Sequence, residues 1–425
     1  MLATQATEAR RPRRRARLIA GLWLVALALN VAFCLLKPGG SPDSARYERI
    51  GANLAAGHGY SSSPHAPYKP EVLRPPGYPL LLAIAYRLIT DGPLMARLIQ
   101  AFLLSLLVPL GYYIARDAMG GKVGLVTAFL IACYPYYWIY SASLLSDALA
   151  TFLMAVVAAA LVWSVHSRRH VPPLLVGVCI GLLALVKPIA VFLPLWAALC
   201  YYLRPSGAPA WPRRTLLCIV GCAMVVLPWT LHNYRATGVL LPIASGKGMQ
   251  LYAAAISTAR GYSVRDYFAD VLAQDPRLLR AQLDDDPYVT MSLDDELWWE
   301  GLALYAAHPG RLIVHLLVTP VRVWLSVYSW GPQGFHISWP HLVLSAGLLL
   351  MGIAGIIMSR RNLRRVVVPL GAIVYFSAVH APFWPEARQT LPVRLFLLMF
   401  VAVVLVRIAE QLAAMGRADE ANLPS

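Results

Sequence analysis

Three ionisable residues stand beside apolar segments, where a charged side chain has to be accommodated near a membrane. Asp43 follows the first apolar segment, Lys187 precedes a proline within a long apolar run, and Arg388 lies in a short polar stretch before the last apolar segment. Ionisable groups at membrane depth are costly and usually functional. A carboxylate held there can remove a proton from an acceptor hydroxyl, and a cation can bind a phosphate group. These residue types point to proton abstraction beside a bound phosphate.

Four more polar residues are candidates for the same site. Arg74 begins the stretch Arg-Pro-Pro-Gly-Tyr-Pro, which leads into an apolar helix, and it is placed to meet an anion. Asp147 opens a predicted span near its outer end. His380 and Glu386 lie at the same predicted outer turn as Arg388, and His380 is the weaker candidate for contact with a phosphate.

Each main candidate also has an ordinary structural explanation. Asp43 follows a proline and precedes a helical stretch, which is a strong signal for a helix N-cap. Asp147 suits the start of a helix, and Arg74 and Lys187 could extend their charges to lipid headgroups. The residue pattern alone leaves both explanations open.

The composition shows which kind of protein has to position these residues. Of the 425 residues, 58% are hydrophobic and only 14% are charged, whereas soluble proteins have about half and about a quarter respectively. A water-soluble enzyme is therefore excluded. The net charge of +16 does not indicate a nucleic-acid partner, because the basic residues form short clusters between apolar runs, as they do in membrane proteins. The sequence has no phosphate-binding loop, dinucleotide-binding motif or zinc-ligand spacing.

The apolar runs predict ten membrane spans. The first follows a strongly basic N-terminus and has no A-x-A cleavage site after it, so we expect a signal anchor with a cytoplasmic N-terminus. Basic clusters in the connections at 116–122, 166–170, 204–214 and 360–365 then fall on the cytoplasmic side. The predicted spans are Leu18–Leu36, Leu94–Ala115, Val123–Tyr140, Leu144–Val165, Leu174–Val186, Ile189–Leu203, Thr215–Trp229, Ser338–Met358, Val366–Val379 and Leu391–Val406.

These spans divide the chain into five regions. The last of the central apolar stretches, 311–328, places Arg311, His315 and Thr319 on one helical face and leucines away from them, which favours an interfacial helix over a span. The predicted regions are a basic tail at 1–17, a membrane module at 18–230 with an outer catalytic loop at 37–93, an outer loop at 231–337 containing the interfacial helix, a membrane module at 338–408 and a tail at 409–425.

The second outer loop is rich in acidic residues. Asp284, Asp285 and Asp286 are followed by Asp294 and Asp295. Such a cluster is a candidate for binding a divalent cation, although it lacks the Asp-x-Asp-x-Asp-Gly pattern. A solvated acidic surface is the simpler interpretation, so we predict no specific metal site.

The order of several short motifs resembles the GT-C superfamily of membrane glycosyltransferases. The similarity is greatest to glycosyltransferase family 39, which resembles the protein mannosyltransferases and the lipid A aminoarabinose transferases. The motifs run from about residue 20 to 400. They are Asp43-Ser44-Ala45-Arg46-Tyr47, Gly57-His58-Gly59-Tyr60, Arg74-Pro75-Pro76-Gly77-Tyr78-Pro79, Tyr134-Pro135, Leu145-Ser146-Asp147, Lys187-Pro188, Pro228-Trp229, Ser245-Gly246-Lys247-Gly248 and the segment His380–Pro392.

The resemblance implies an all-α bundle, GT-C-like, with short interfacial helices in its outer loops. It implies that Asp43 is the general base, and that Lys187, Arg388 and Arg74 bind the phosphate of a polyprenyl-phosphate sugar donor. The acceptor would be a lipid, a glycan or a protein, and the setting a bacterial inner membrane with the site facing the periplasm. Further candidates for substrate binding are Tyr47, His58, Tyr60, Asp147, Lys247, His380 and Glu386.

Two other classes of membrane protein remain open from the residues alone. A transporter or flippase of a polyprenyl-linked or anionic substrate would also place charges within the membrane, but transporters usually contain matched broken helices in repeated halves. This chain has one clear Lys-Pro break and no repeat. A non-catalytic scaffold would not require buried charges.

Overall fold

The computed structural model describes residues 2–39, 42–89, 92–204, 210–261, 275–284, 286–325, 328–331, 334–337 and 339–421. The predicted all-α membrane fold is confirmed, because helices make up about four-fifths of these residues. They are α1 (Leu2–Leu36), α2 (Pro42–Ala56), α3 (Gly77–Leu88), α4 (Gly92–Ser105), α5 (Leu107–Met119), α6 (Gly121–Ala132), α7 (Pro135–Ser141), α8 (Ser146–His166), α9 (Val171–Ala184), α10 (Leu193–Leu203), α11 (Trp211–Thr237), α12 (Lys247–Ala259), α13 (Pro276–Leu283), α14 (Pro287–Ala307), α15 (Pro309–Arg322), α16 (Trp339–Ser359), α17 (Leu363–Val379) and α18 (Arg394–Ala421).

Three short 3-10 helices and one hairpin complete the described secondary structure. The 3-10 helices are Pro188–Phe192, Arg360–Asn362 and Ala387–Val393. The hairpin is an exception to the helical expectation: β1 (Tyr328–Gly331) pairs antiparallel with β2 (Gly334–Ile337).

The chain is an integral membrane protein. Among the described residues, six helical stretches are long and apolar enough to cross a membrane, or eight if each of two bent helix pairs is one span. The stretch Trp339–Val379 counts once, although its 41 residues would extend about 61 Å at 1.5 Å per residue, twice the hydrocarbon core of roughly 30 Å. Two shorter apolar helices, Val171–Ala184 and Pro188–Leu203, add to these. The predicted number of ten spans is therefore only roughly supported.

Helix α8 connects two charged ends of the bundle. At its start, Asp147 lies 2.9 Å from the ammonium nitrogen of Lys187. At its end, His166 lies 3.3 Å from a carboxylate oxygen of Asp117. With 21 residues, α8 is about 30 Å long, so the candidate residues near Asp147 lie at the opposite end from the basic connection that follows α8.

Small residues allow α9 and α11 to pack with their backbones in contact. A Cβ atom at Gly177 would lie 2.0 Å from the carbonyl oxygen of Cys218, and one at Gly221 would lie 2.2 Å from the carbonyl oxygen of Leu174. Spacing of small residues at four-residue intervals, as at Gly177 and Gly181, is a common basis of helix association in membranes. This contact fixes α9, which ends just before Lys187.

Helices α12, α13 and α14 belong to the predicted outer loop, and we call them the outer subdomain. They have a hydrophobic cluster of their own. Leu251, Leu278 and Leu297 are buried in this cluster. Leu73 and Trp384, from two other parts of the chain, complete it. Because Leu73 precedes Arg74 and Trp384 lies two residues before Glu386, the cluster joins the two segments that carry candidate residues.

The acidic residues of this subdomain are used in its own structure. The carboxylate of Asp294 accepts hydrogen bonds from the backbone N–H groups of Gly246, Gly248 and Met249 at the start of α12. Asp286 accepts from the N–H of Tyr288 at the start of α14. Within the described residues no group of three His, Cys, Asp or Glu side chains could hold a metal ion. Asp285 of the predicted acidic cluster lies outside the described residues.

The predicted interfacial segment corresponds mainly to α15. This helix has 14 residues and follows α14 at a bend of 108°. His315 and Thr319 of its polar face are completely buried, whereas Ile313 and Leu317 are exposed. The apolar residues therefore face outward, as in a helix that contacts lipid. The position of this segment in the interface remains a prediction, and its residues 326 and 327 lie outside the described residues.

Candidate functional site

Asp43 lies between two arginines that come from distant parts of the chain. It is in the first turn of α2. Its Oδ1 atom accepts a short hydrogen bond from Nη2 of Arg74, and its Oδ2 atom lies 2.8 Å from Nη1 of Arg388. Only 13% of the Asp43 side chain is exposed. The three residues therefore form a partly buried ion triplet.

The two guanidinium groups control the ionisation of Asp43. Burial raises the pKa of the carboxyl group, but the charges of Arg74 and Arg388 outweigh burial and hold the pKa well below its ordinary value. Opposite charges at such short distances favour the ionised form. Asp43 is therefore a carboxylate at neutral pH.

Arg74 is positioned by the loop between α2 and α3. Glu71 accepts hydrogen bonds from the backbone N–H groups of Leu73 and Arg74. Tyr60 donates its hydroxyl hydrogen to the carbonyl oxygen of Arg74 over 2.6 Å. The guanidinium carbon of Arg74 lies 5.3 Å from the centre of the Tyr47 ring, within range of a cation–π contact. The loop thus fixes both the backbone and the charged group of Arg74.

Glu71 is in turn held by a buried arginine. The Nε atom of Arg46 lies 2.7 Å from Oε2 of Glu71, and the side chains are 8% and 0% exposed. Arg46 also donates to the carbonyl oxygen of Gln282 in the outer subdomain. The pair therefore connects the Arg74 loop with that subdomain.

Arg388 lies in the 3-10 helix Ala387–Val393. Its Nε atom donates to the carboxylate of Glu386. Glu386 is the N-cap of this short helix, and its backbone N–H donates to the side-chain oxygen of Gln389 over 3.0 Å. Arg388 therefore contacts two carboxylates, one from its own turn and one from α2.

Lys187 and Asp147 form a second ion pair at this end of the bundle. Asp147 is 1% exposed and Lys187 is 25% exposed. Lys187 immediately precedes the 3-10 helix Pro188–Phe192, so the proline break brings its side chain to the start of α8. The hydroxyl of Tyr47 donates to Ser146 over 3.3 Å, which links this pair with the Asp43 triplet.

Comparison with known structures establishes the fold. An archaeal oligosaccharyltransferase of Archaeoglobus fulgidus, tethered to an acceptor peptide, matches 93% of this chain with a TM-score of 0.54 at 13% identity. The AglB oligosaccharyltransferase of the same organism, in complex with an inhibitory peptide and dolichol-phosphate, matches 96% with a TM-score of 0.51 at 14% identity. The chain therefore has the fold of these two oligosaccharyltransferases, a GT-C-like helical bundle.

Other comparisons gave matches of smaller extent or lower score. A family model described as dolichyl-phosphate-mannose-protein mannosyltransferase matches residues 73–232. ArnT from Cupriavidus metallidurans, bound to undecaprenyl phosphate, aligns with 92% of this chain and 78% of its own at 16% identity, with a TM-score of 0.45. The chain spans about half the length of the oligosaccharyltransferases, 50% and 52%. No curated protein sequence gives a significant match.

The GT-C fold brings most of the predicted residues to one end of the bundle. Asp43, Arg74 and Arg388 are in contact, and Glu386 and Tyr47 contact these arginines. Tyr60 donates a hydrogen bond to the backbone carbonyl oxygen of Arg74, and Asp147 pairs with Lys187. Their roles in catalysis or binding remain predictions.

Three predicted residues have partners other than the Asp43 triplet. His58 is exposed and stacks on Tyr68 with ring centres 4.2 Å apart. Lys247 is on the outer subdomain, 3.7 Å from Asp295. His380 is buried, and its Nδ1 lies 2.7 Å from the carbonyl oxygen of Phe376. Burial lowers the pKa of His380 to about 4, so this imidazole is neutral at pH 7.

The structure adds Arg394 to the residues around the Asp43 triplet. Its side chain is buried, with Nη1 donating to the Tyr134 hydroxyl over 2.7 Å. Nη2 donates to the carbonyl oxygens of Trp324 and Ala387. Arg394 thus connects the Arg388 turn with Trp324, which follows α15, and with Tyr134, which precedes α7. The sequence signal was an arginine at the start of an apolar helix, which headgroup contact explains equally well.

Proposed function

We propose that this protein is a glycosyltransferase that moves a sugar from a polyprenyl-phosphate donor to an acceptor hydroxyl on the outer face of the membrane. The observation that carries the proposal is the carboxylate of Asp43 held between Arg74 and Arg388, with Lys187 nearby. This combination offers one base and several cations at one end of a membrane bundle. The GT-C fold and the match over 73–232 to a dolichyl-phosphate-mannose-protein mannosyltransferase model support the class of reaction.

The proposed chemistry is a single inverting displacement. Asp43 takes the proton of the acceptor hydroxyl as the oxygen attacks the anomeric carbon of the sugar. The bond between that carbon and the phosphate oxygen breaks, and polyprenyl phosphate leaves with the bonding electrons. A positioned general base typically contributes about 10²–10⁴ to the rate.

The cations have the complementary task. Lys187, Arg388 and Arg74 stabilise the negative charge that develops on the departing phosphate. Arginine is suited to such contact because its planar guanidinium can bind two phosphate oxygens at once. The AglB structure that shares this fold holds dolichol-phosphate, which supports a lipid phosphate as the ligand here.

The surrounding elements suit a substrate that arrives from the membrane. The site lies opposite the basic connections of the bundle, so we place it at the periplasmic face of a bacterial inner membrane. The acceptor is a lipid, a glycan or a protein, and the outer subdomain next to the Arg74 loop is the surface that would select it.

Transfer of labelled sugar in proteoliposomes tests the proposal. The purified protein is supplied with a polyprenyl-phosphate sugar and a panel of acceptors, and Asp43→Asn is compared with the wild type. Glu410→Gln, which removes an exposed carboxylate from the Lys122 pair, is the matched control. We expect Asp43→Asn to lose transfer by at least about 10²-fold while inserting normally, and the control to keep it. Near-normal transfer by Asp43→Asn would refute the role of the base, and movement of an intact lipid-linked sugar without transfer would favour a flippase.

A further inference from the structure

Six charged side chains at this end of the bundle form ion pairs with one another. Asp43, Glu386 and Asp147 carry negative charge, and Arg74, Arg388 and Lys187 carry positive charge. Each cation lies within hydrogen-bonding distance of at least one of the carboxylates. A phosphate that enters this site therefore meets cations that are already engaged.

Arg388 is the cation that contacts two carboxylates. Its Nη1 atom lies 2.8 Å from Asp43 and its Nε atom donates to Glu386. The exposed fractions of Arg388, Asp43 and Glu386 are 29%, 13% and 23%, so solvent screens these contacts only partly. Charge-assisted hydrogen bonds of this kind are the strong ones in proteins. A ligand anion has to replace at least part of them.

The two carboxylates differ in how they are held. Glu386 belongs to the same short helix as Arg388 and is fixed as its N-cap. Asp43 comes from α2 and reaches Arg388 across the space between two parts of the chain. Asp43 can therefore separate from Arg388 without a change in the 3-10 helix, whereas the chain keeps Glu386 next to Arg388.

We infer that Asp43 and Glu386 compete with the ligand phosphate for Arg388, so that Glu386 sets the affinity of the site for an anion and phosphate binding releases Asp43. The inference rests on the proposed function in taking a lipid phosphate as the ligand. It makes Glu386 a positioning residue. It also gives the order of events, because Asp43 becomes a stronger base only after the donor has withdrawn a guanidinium from it.

Binding of dodecyl phosphate to the full-length protein in detergent tests this inference by calorimetry, without any need for turnover. Removing an internal competitor should strengthen binding, so we expect Asp43→Asn and Glu386→Gln each to bind the probe roughly tenfold more tightly than the wild type. Arg388→Gln should bind it roughly tenfold more weakly. The matched control for Glu386→Gln is Glu410→Gln, which removes the carboxylate from the exposed Lys122 pair at the other end of the bundle and should leave binding unchanged.

The outcomes separate this inference from the proposed function. Unchanged or weaker binding of the probe by Glu386→Gln overturns the inference. If thermal unfolding shows that Asp43→Asn is misfolded, the binding measured for Glu386→Gln alone tests the inference. Absence of probe binding in both the wild type and Glu386→Gln also overturns it. Tighter binding by Glu386→Gln in a protein that transfers no sugar supports the competition and refutes the proposed activity. Normal sugar transfer by the wild type, without tighter probe binding by Glu386→Gln, supports the proposed activity and refutes the competition.

Discussion

The ammonium nitrogen of Lys187 lies 2.9 Å from the carboxylate of Asp147, which is 1% exposed. A carboxylate buried to this extent needs a compensating charge, because desolvation of an unpaired ion is strongly unfavourable. Lys187 is thus bound to a structural partner and available at its exposed side to a ligand. The two roles can be separated experimentally.

Lys187→Met should destabilise the protein and weaken donor binding. The double variant Lys187→Met/Asp147→Leu should regain stability but not donor binding. The single variant leaves a buried carboxylate unpaired, with an expected cost of about 3–5 kcal/mol. The double variant removes both charges and should recover most of that loss. Thermal unfolding in detergent measures stability, and dodecyl phosphate titration measures binding. Recovery of both properties would mean that Lys187 has no part in binding a phosphate.

Tyr60→Phe should lower transfer without removing any charge from the site. The variant deprives the carbonyl oxygen of Arg74 of a hydrogen bond of 2.6 Å, a loss of about 0.5–1.5 kcal/mol. We expect a fall of about two- to tenfold in kcat/KM for the donor. Tyr234→Phe, which alters an exposed tyrosine at the end of α11, is the control. Equal activities of the two variants would show that Arg74 needs no such support.

The pH profile of kcat/KM should lack an acidic limb from Asp43 in the wild type. Burial alone would raise the pKa of this carboxyl, but Arg74 and Arg388 hold it below the ordinary value, so the base stays ionised as the pH falls through about 5. In Arg388→Gln one of the two opposing positive charges is lost, so the pKa of Asp43 should rise and an acidic limb should appear. Initial rates at low donor concentration, measured between about pH 4 and 8, test for this limb. A variant profile without an acidic limb would contradict the coupling between Arg388 and Asp43.

Gly177→Val should destabilise the bundle far more than the same change at Gly347. At Gly177 the added carbon atoms meet the backbone of Cys218 at 2.0 Å, whereas a Cβ at Gly347 has no heavy atom within 4 Å. Overpacking typically costs about 1–3 kcal/mol, and a backbone neighbour cannot move aside like a side chain. The thermal midpoint of each purified variant gives the comparison. Similar midpoints would show that α9 and α11 can separate without loss.

Apolar run length and basic clusters were sufficient to predict the helical architecture. All ten predicted spans coincide with helices or with helix pairs, because a membrane requires each crossing segment to satisfy its own backbone hydrogen bonds. The Lys187–Pro188 break was also visible in the sequence, since proline cannot continue a helix. Pro309 and Gly310 likewise mark the end of α14. The 108° angle between α14 and α15 and the pairing of β1 with β2 could not be read from the residues.

The site could be predicted only as separate residues. Asp43 and Arg388 attracted attention by their positions at the ends of apolar runs, but nothing in the sequence states that their side chains meet. Glu71 carried no signal, because an acidic residue in a polar loop is ordinary. Its buried pairing with Arg46 depends on how the loop folds against the outer subdomain. Lys247, in contrast, had a motif around it and yet lies on the surface beside Asp295.

The outer hydrophobic cluster that unites Leu73 with Trp384 has a genetic consequence. Leu73 adjoins Arg74, and Trp384 donates its backbone N–H to the carbonyl oxygen of Gln250 in α12, close to the turn of Glu386. A substitution that loosens this cluster displaces both arginine segments together. We expect a random screen for inactive alleles to recover changes at Leu251 or Leu297 beside changes at Asp43. These inactivating substitutions would then lie outside the residues that are proposed to contact the sugar.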